Sequence, residues 1–196
     1  MALTRISIPS PNHSGPRPSS RLIVLHTSEG ATTFRNLGNF LANPSSQVSY
    51  NCGFDDTSAS QIGEYVAPDL TAWAAMQANS LGEHGCMCTP SGASYGWDRS
   101  EWLRHDTMLR AAGAWIGEEA ERWGIPVMKI DADDIQSGRS GVCGHRDCSA
   151  AGLGGDHGDP GPEFVWDVVI AYALAGADFP AIPAGPVAVY PRRFSP

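Results

Sequence analysis

A mixed α/β fold, a single domain with strands and helices interleaved, is what this sequence predicts, and three observations predict it. The 196 residues are 42% apolar and 17% charged, enough apolar surface to close around one core and too little charge for a disordered chain. The chain carries 22 Gly and 15 Pro, a loop-rich composition that argues against a plain helical bundle. Short β-branched apolar runs alternate with stretches of helical apolar spacing, the pattern of interleaved strands and helices.

The elements follow in order. Residues 1–20 hold Pro9, Pro11, Pro16 and Pro18 and read as an extended N-terminal arm. Residues 21–26 (RLIVLH) read as a buried strand running into a turn at 27–30, which places His26 at a strand end. Phe34, Leu37, Phe40 and Leu41 recur at helical spacing between 32 and 41, and Asn43-Pro44 stops that helix. Residues 47–54 and 61–66 are two further strands joined by a turn at 55–58. A long helix comes next: Asp98 and Glu101 have capping-box spacing ahead of Trp102, Leu109, Ala112, Trp115, Ile116 and Trp123, and Gly124 and Pro126 end it. Residues 127–130 are a short strand, and 162–175 a closing helix with Phe164, Val168, Tyr172 and Ala175 on one stripe. The domain is therefore expected over 21–177, with 178–196 as a Pro-rich tail or linker.

Thirteen basic residues against 21 acidic ones leave a net charge of -8, which offers no footprint for nucleic acid and excludes that class of partner. The longest run of apolar and glycine residues, 168–177, is about half of the ~20 that a membrane span requires, so no membrane insertion is expected. The prolines of the first 20 residues break any apolar signal-peptide region, and synthesis in the cytoplasm is the expectation. Five cysteines (Cys52, Cys86, Cys88, Cys143 and Cys148) are an odd count, better suited to reduced thiols than to a complete disulfide framework. A structural zinc on Cys86, Cys88, Cys143 and Cys148 is a competing reading, but the Cys-X-Cys spacing matches zinc motifs poorly, and buried small hydrophobes are the plainer account.

Six histidines occur, and His26, His145 and His157 stand at a strand end or in Gly-rich loops, places that present a side chain to a cleft. A catalytic zinc needs three protein ligands and one open position, and the ligands can come from distant segments. His26, His145 and Asp159 can meet that demand.

Four segments carry a family resemblance: LIVLHTSEG at 22–30, Ala72-Trp73, GHRD at 144–147 and DPGPEFVW at 159–166. In this order the chain resembles the zinc amidases that cleave N-acetylmuramoyl-L-alanine bonds, the family shared by phage endolysins and peptidoglycan recognition proteins. SPNHS at 10–14 and GIP at 124–126 are similar to the lysin A amidases of actinobacterial phages. The resemblance implies a central mixed β-sheet flanked by helices, a Zn²⁺ cofactor on His26, His145 and Asp159, and peptidoglycan as substrate, acted on by a monomer that is released from the host cytoplasm. It implies that Trp73 and Arg146 contact substrate and that His157, where relatives often have Lys, binds the developing oxyanion; a loop histidine facing water is the alternative.

Two departures from the family pattern stand out. Where relatives commonly read His-Tyr in the second strand this chain has Asn51-Cys52, and strict alternation along a strand would turn Tyr50 the other way. The catalytic Glu of some relatives follows a motif like the NSL at 79–81, which makes Glu83 the candidate general base; a shift of register would put His84 or Cys86 there instead. The rival from another class is a peptidoglycan-binding module that has lost a zinc ligand, and the presence of all three favours the enzyme.

Overall fold

The sheet is best built outward from the strand whose apolar run is clearest in the sequence. The computed structural model describes residues 3–90 and 94–175. Strand β3 (Leu22–Thr27) is wholly buried, and the parallel strands β7 (Gly82–Met87) and β8 (Gly141–Gly144) flank it. Burial on both faces explains its unbroken apolar run. Outward from β7 lie β4 (Cys52–Phe54), parallel to it, then β5 (Gln61–Glu64), antiparallel to β4, and finally β1 (Thr4–Ser7), parallel to β5. The order β1-β5-β4-β7-β3-β8 is a mixed sheet of six strands, and β2 (His13–Pro16) and β6 (Leu70–Ala72) form a separate antiparallel ribbon.

Helices cover both faces. Ile23, Leu25, Phe54 and Met87 pack with Trp115 and Ile116 of α3 (Asp106–Trp123) and with Val168 and Tyr172 of α6 (Trp166–Ala175). On the other face Leu22, Val24 and Cys143 meet Ile135 of α4 (Ala132–Gln136) and Cys148 of α5 (His145–Ala150). Phe34, Leu37 and Leu41 of α1 (Phe34–Leu41) close a third cluster with Tyr65 and Cys86. Among the described residues no helix is long and apolar enough to cross a membrane.

The structure corrects several expected elements. Residues 4–7 and 13–16 are extended, as expected of an arm, yet they are strands of the body: Thr4 to Ser7 pair in register with Gln61 to Glu64, because Ile6 and Ile8 pack on the α1 cluster. The expected long helix is two, α2 (Arg99–Arg104) and α3, separated at His105, which stacks on Trp97 and bonds Asp56. Asp98 caps α2 through the Glu101 N–H and Gly124 ends α3 at φ 66°, a left-handed position that glycine takes without strain. Of 47–54 only Cys52–Phe54 pairs as a strand, of 127–130 only the Lys129–Val142 bridge remains, and the closing helix begins at Trp166. The tail 178–196 lies outside the described residues.

Candidate metal centre

Parallel strands deliver side chains to their carboxyl ends, and β3 and β8 deliver His26 and, one residue past its last strand position, His145. The loop before α6 brings Asp159 to meet them, and the Arg146 N–H donates to the Asp159 carbonyl at 2.9 Å to fix that loop. All three residues are buried, and one ligand atom from each lies within 4.8 Å of the others. His26 Nδ1 stands 3.1 Å from His145 Nδ1 and 3.3 Å from Asp159 Oδ2, and His145 Nδ1 stands 3.2 Å from Asp159 Oδ1.

These residues fit a divalent metal. In a tetrahedral zinc site with bonds of about 2.0–2.1 Å, neighbouring ligand atoms stand about 3.3–3.4 Å apart, close to the three distances measured. His145 Nε2 donates to the Gly154 carbonyl at 2.8 Å, which leaves the neutral ring's Nδ1 unprotonated at the centre, and His26 Nε2 faces His84 Nδ1 at 3.0 Å. Buried Asp159 Oδ1 has no hydrogen-bond partner by geometry. The Thr27 N–H holds Asp159 Oδ2 at 3.1 Å.

Protonation agrees with this reading. Burial lowers the His26 pKa to about 4, against the opposing pull of Asp159, so its ring is neutral at pH 7. Burial works against the Asp159 carboxylate, but His145 and His26 outweigh it and hold its pKa below the usual carboxylate range. Burial and the proximity of His26 likewise push His84 well down.

The other expected site residues separate. His157 is exposed and stacks on the His145 ring, centroids 4.4 Å apart and planes within 10°, which places it at the mouth of the centre. Arg146 is exposed one residue after a triad member. Trp73 sits on the β2–β6 ribbon, its indole N–H donating to Ser14 Oγ at 2.8 Å and its backbone bonded to Ser49.

Glu83 is corrected outright. It and His84 are neighbours on β7 and so face opposite sides of the sheet; His84 reaches His26, whereas Glu83 accepts from Arg17 at 2.5 Å and from the Trp123 indole at 3.0 Å, under α3. A carboxylate behind the sheet cannot take a proton from water at the triad. Glu83→Gln is therefore expected to change kcat by less than ~3-fold, well short of the ~10²-fold that loss of a positioned base costs, when steady-state rates of metal-loaded protein are compared.

Tyr50 is corrected in the opposite sense. Residues 47–50 are not in a paired strand, so alternation does not govern them, and the Tyr50 ring lies 5.0 Å from His26. Asn51 turns away to bond the Val66 and Ala67 carbonyls and the His84 N–H. The five cysteines are free and buried, with Cys143 and Cys148 Sγ 3.8 Å apart and Cys86 and Cys88 in a different cluster. The four do not gather as a zinc site.

A six-stranded mixed sheet flanked by helices, with a buried His-His-Asp cluster at the carboxyl ends of its strands, defines an amidase-like fold with a candidate metal centre. Solved structures of this fold include the hydrolase AmiA of Staphylococcus aureus in complex with its ligand, 12% identical over 89% of this chain and 85% of that one with a TM-score of 0.65. They also include a mutant endolysin from Bacillus subtilis, 15% identical over 87% and 99% at 0.56, and the catalytic domain of PlyG, 14% identical over 94% and 100% at 0.56. At these identities the likeness shows the fold. No family model matches the chain, and no curated relative does.

Proposed function

We propose that this chain is a zinc-dependent N-acetylmuramoyl-L-alanine amidase of the endolysin kind, cutting peptidoglycan between N-acetylmuramic acid and the L-alanine of the stem peptide. The observation that carries the reading is the convergence of His26, His145 and Asp159 at metal-compatible spacing within a fold shared with endolysins and the hydrolase AmiA. The three residues would hold Zn²⁺, which when bound lowers the pKa of water to about 7 and polarises the scissile carbonyl.

The chain's own residues supply the rest. Gly154 and Thr27 keep His145 and Asp159 in their liganding orientation through the bonds described above. With Glu83 behind the sheet, His157 is assigned the developing oxyanion, since its exposed ring lies against a ligand ring. Arg146 offers an exposed cation to a stem-peptide carboxylate, and Trp73 an apolar face on the ribbon. We place the catalytic unit over 21–177, supported by the N-terminal strands, in a phage lysin that reaches the wall after release from the cytoplasm.

Digestion of purified peptidoglycan tests the reaction. New N-terminal alanine is expected without new reducing sugar ends, and a chelator is expected to stop its release until Zn²⁺ is restored. Reducing ends without new alanine termini would overturn the assignment, and binding without any new termini would favour the non-catalytic module.

A further inference from the structure

A cavity of about 470 Å³ opens beside the candidate metal centre, bounded by the loop after β3, by α1 and by Tyr50. Its lining includes Tyr50, whose ring stands 5.0 Å from that of His26, and Ser28, two residues beyond His26. None of its lining residues is charged. Ser28, Thr32 and Asn36 offer hydroxyl and amide groups, while Leu37, Phe40 and Tyr50 offer apolar and aromatic surface. That combination suits the backbone amides and small side chains of an uncharged peptide segment.

The wall formed by residues 28–32 depends on a residue that does not line the cavity. Glu29 has φ 51°, a left-handed backbone rarely taken by a residue other than glycine. Such a conformation persists where its surroundings fix it, and here they do. Glu29 Oε1 accepts from the Thr27 hydroxyl at 2.5 Å and from the Ser94 hydroxyl, tying the loop to the end of β3 and to the segment that follows β7. Ser28 adds a second tie, donating to the Ala31 carbonyl at 2.7 Å and accepting from the Thr89 N–H at 3.2 Å. The metal centre's described hydrogen bonds do not include the Glu29 carboxylate.

We propose that Glu29 is a positioning residue that holds the 28–32 wall in place, and that the cavity behind it takes an uncharged part of the stem peptide. The inference rests on the amidase reading and adds to it the place where the peptide binds and the residue that shapes that place.

The test measures Kd for a soluble muramoyl-peptide on metal-free protein by calorimetry, and KM, kcat and zinc content on loaded protein. Glu29→Ala removes the acceptor and is expected to raise both Kd and KM about 10-fold, with kcat within ~3-fold and zinc content unchanged. Glu29→Gln keeps an oxygen able to accept from both hydroxyls and is expected to restore Kd and KM to within ~3-fold of the parent. Ser94→Ala, removing one donor from the other side, is expected to raise KM in the same sense by a smaller factor, and it answers the question if Glu29→Ala does not fold. Unchanged Kd and KM in Glu29→Ala and Ser94→Ala would overturn the proposal. A ~100-fold loss of kcat in Glu29→Gln would overturn it in favour of a catalytic role. If the parent protein binds zinc but no muramoyl-peptide, the amidase reading falls and this inference with it; if the parent binds and the variants bind equally, this inference alone falls.

Discussion

Replacing His145 by alanine is expected to leave the protein folded, without retained zinc, and with peptidoglycan hydrolysis reduced to background. The side chain is one of three at the candidate centre, and its Nδ1 lies within 3.2 Å of both other ligand residues. Losing even a hydrogen-bonding partner of a metal ligand typically costs ~10- to 100-fold in affinity or activity, so losing a ligand should exceed ~100-fold. Metal analysis of the purified variant beside the parent, with release of N-terminal alanine as the rate, checks it. Full activity with one zinc retained would remove His145 from the ligand set.

The second large effect is on stability, and it lies behind the sheet. Arg17 and Glu83 are both buried, and the Arg17 guanidinium also donates to the Gly82 and Pro68 carbonyls. Above pH ~8, where Glu83 is charged, removing Arg17 leaves an uncompensated buried carboxylate, at a cost of about 3–5 kcal/mol. For a chain of this size that corresponds to a thermal midpoint lower by roughly 10 °C in Arg17→Ala. The pH dependence has a definite sign. Burial raises the Glu83 pKa from 4.5 to about 8, against the opposing charge of Arg17, so the folded protein holds a proton that the unfolded chain releases between those values. The contribution of Glu83 is therefore fully present below pH ~4.5 and is lost as the pH rises through about 8. Thermal midpoints of Glu83→Gln across this window should lack that downward slope, while the deficit of Arg17→Ala should widen toward its upper end.

The centre was more legible than the sheet that carries it. His26 stood out because β3 is buried on both faces and so reads as a continuous apolar run; the metal set then followed from residue types and family order, and the structure brings those three side chains together. Strands β7 and β8, which complete the site, were hidden by glycine, a residue depleted in strands. Gly85 shows why glycine is needed there: a Cβ would stand 2.7 Å from the Trp115 ring and 2.8 Å from Phe54, so close packing of α3 on the sheet removed the very pattern that marks a strand. With β7 unlocated, nothing in the sequence decides between the two faces, so Glu83 and the register alternative His84 stay open, and the structure turns His84 toward His26 and Glu83 away. Tyr50 is misdirected by the opposite error, a strand drawn five residues too long. The signal available for both was the same: Asn51, which ties itself to His84 and to the Val66 carbonyl, is a polar side chain in an apolar setting and marks the end of regular pairing.

The strand at residues 4–7 bears on how this protein can be cut and joined. Read as a dispensable leader, the first 20 residues invite deletion, yet removing them would strip β1 from β5 and expose the backbone of Gln61 to Glu64 along a sheet edge. An uncovered edge is a template for pairing with another chain. The same deletion would take Arg17 from Glu83. A shortened chain beginning at Arg21 should thus fail by self-association before it fails by chemistry, and a partner domain fused directly at that point would inherit the exposed edge.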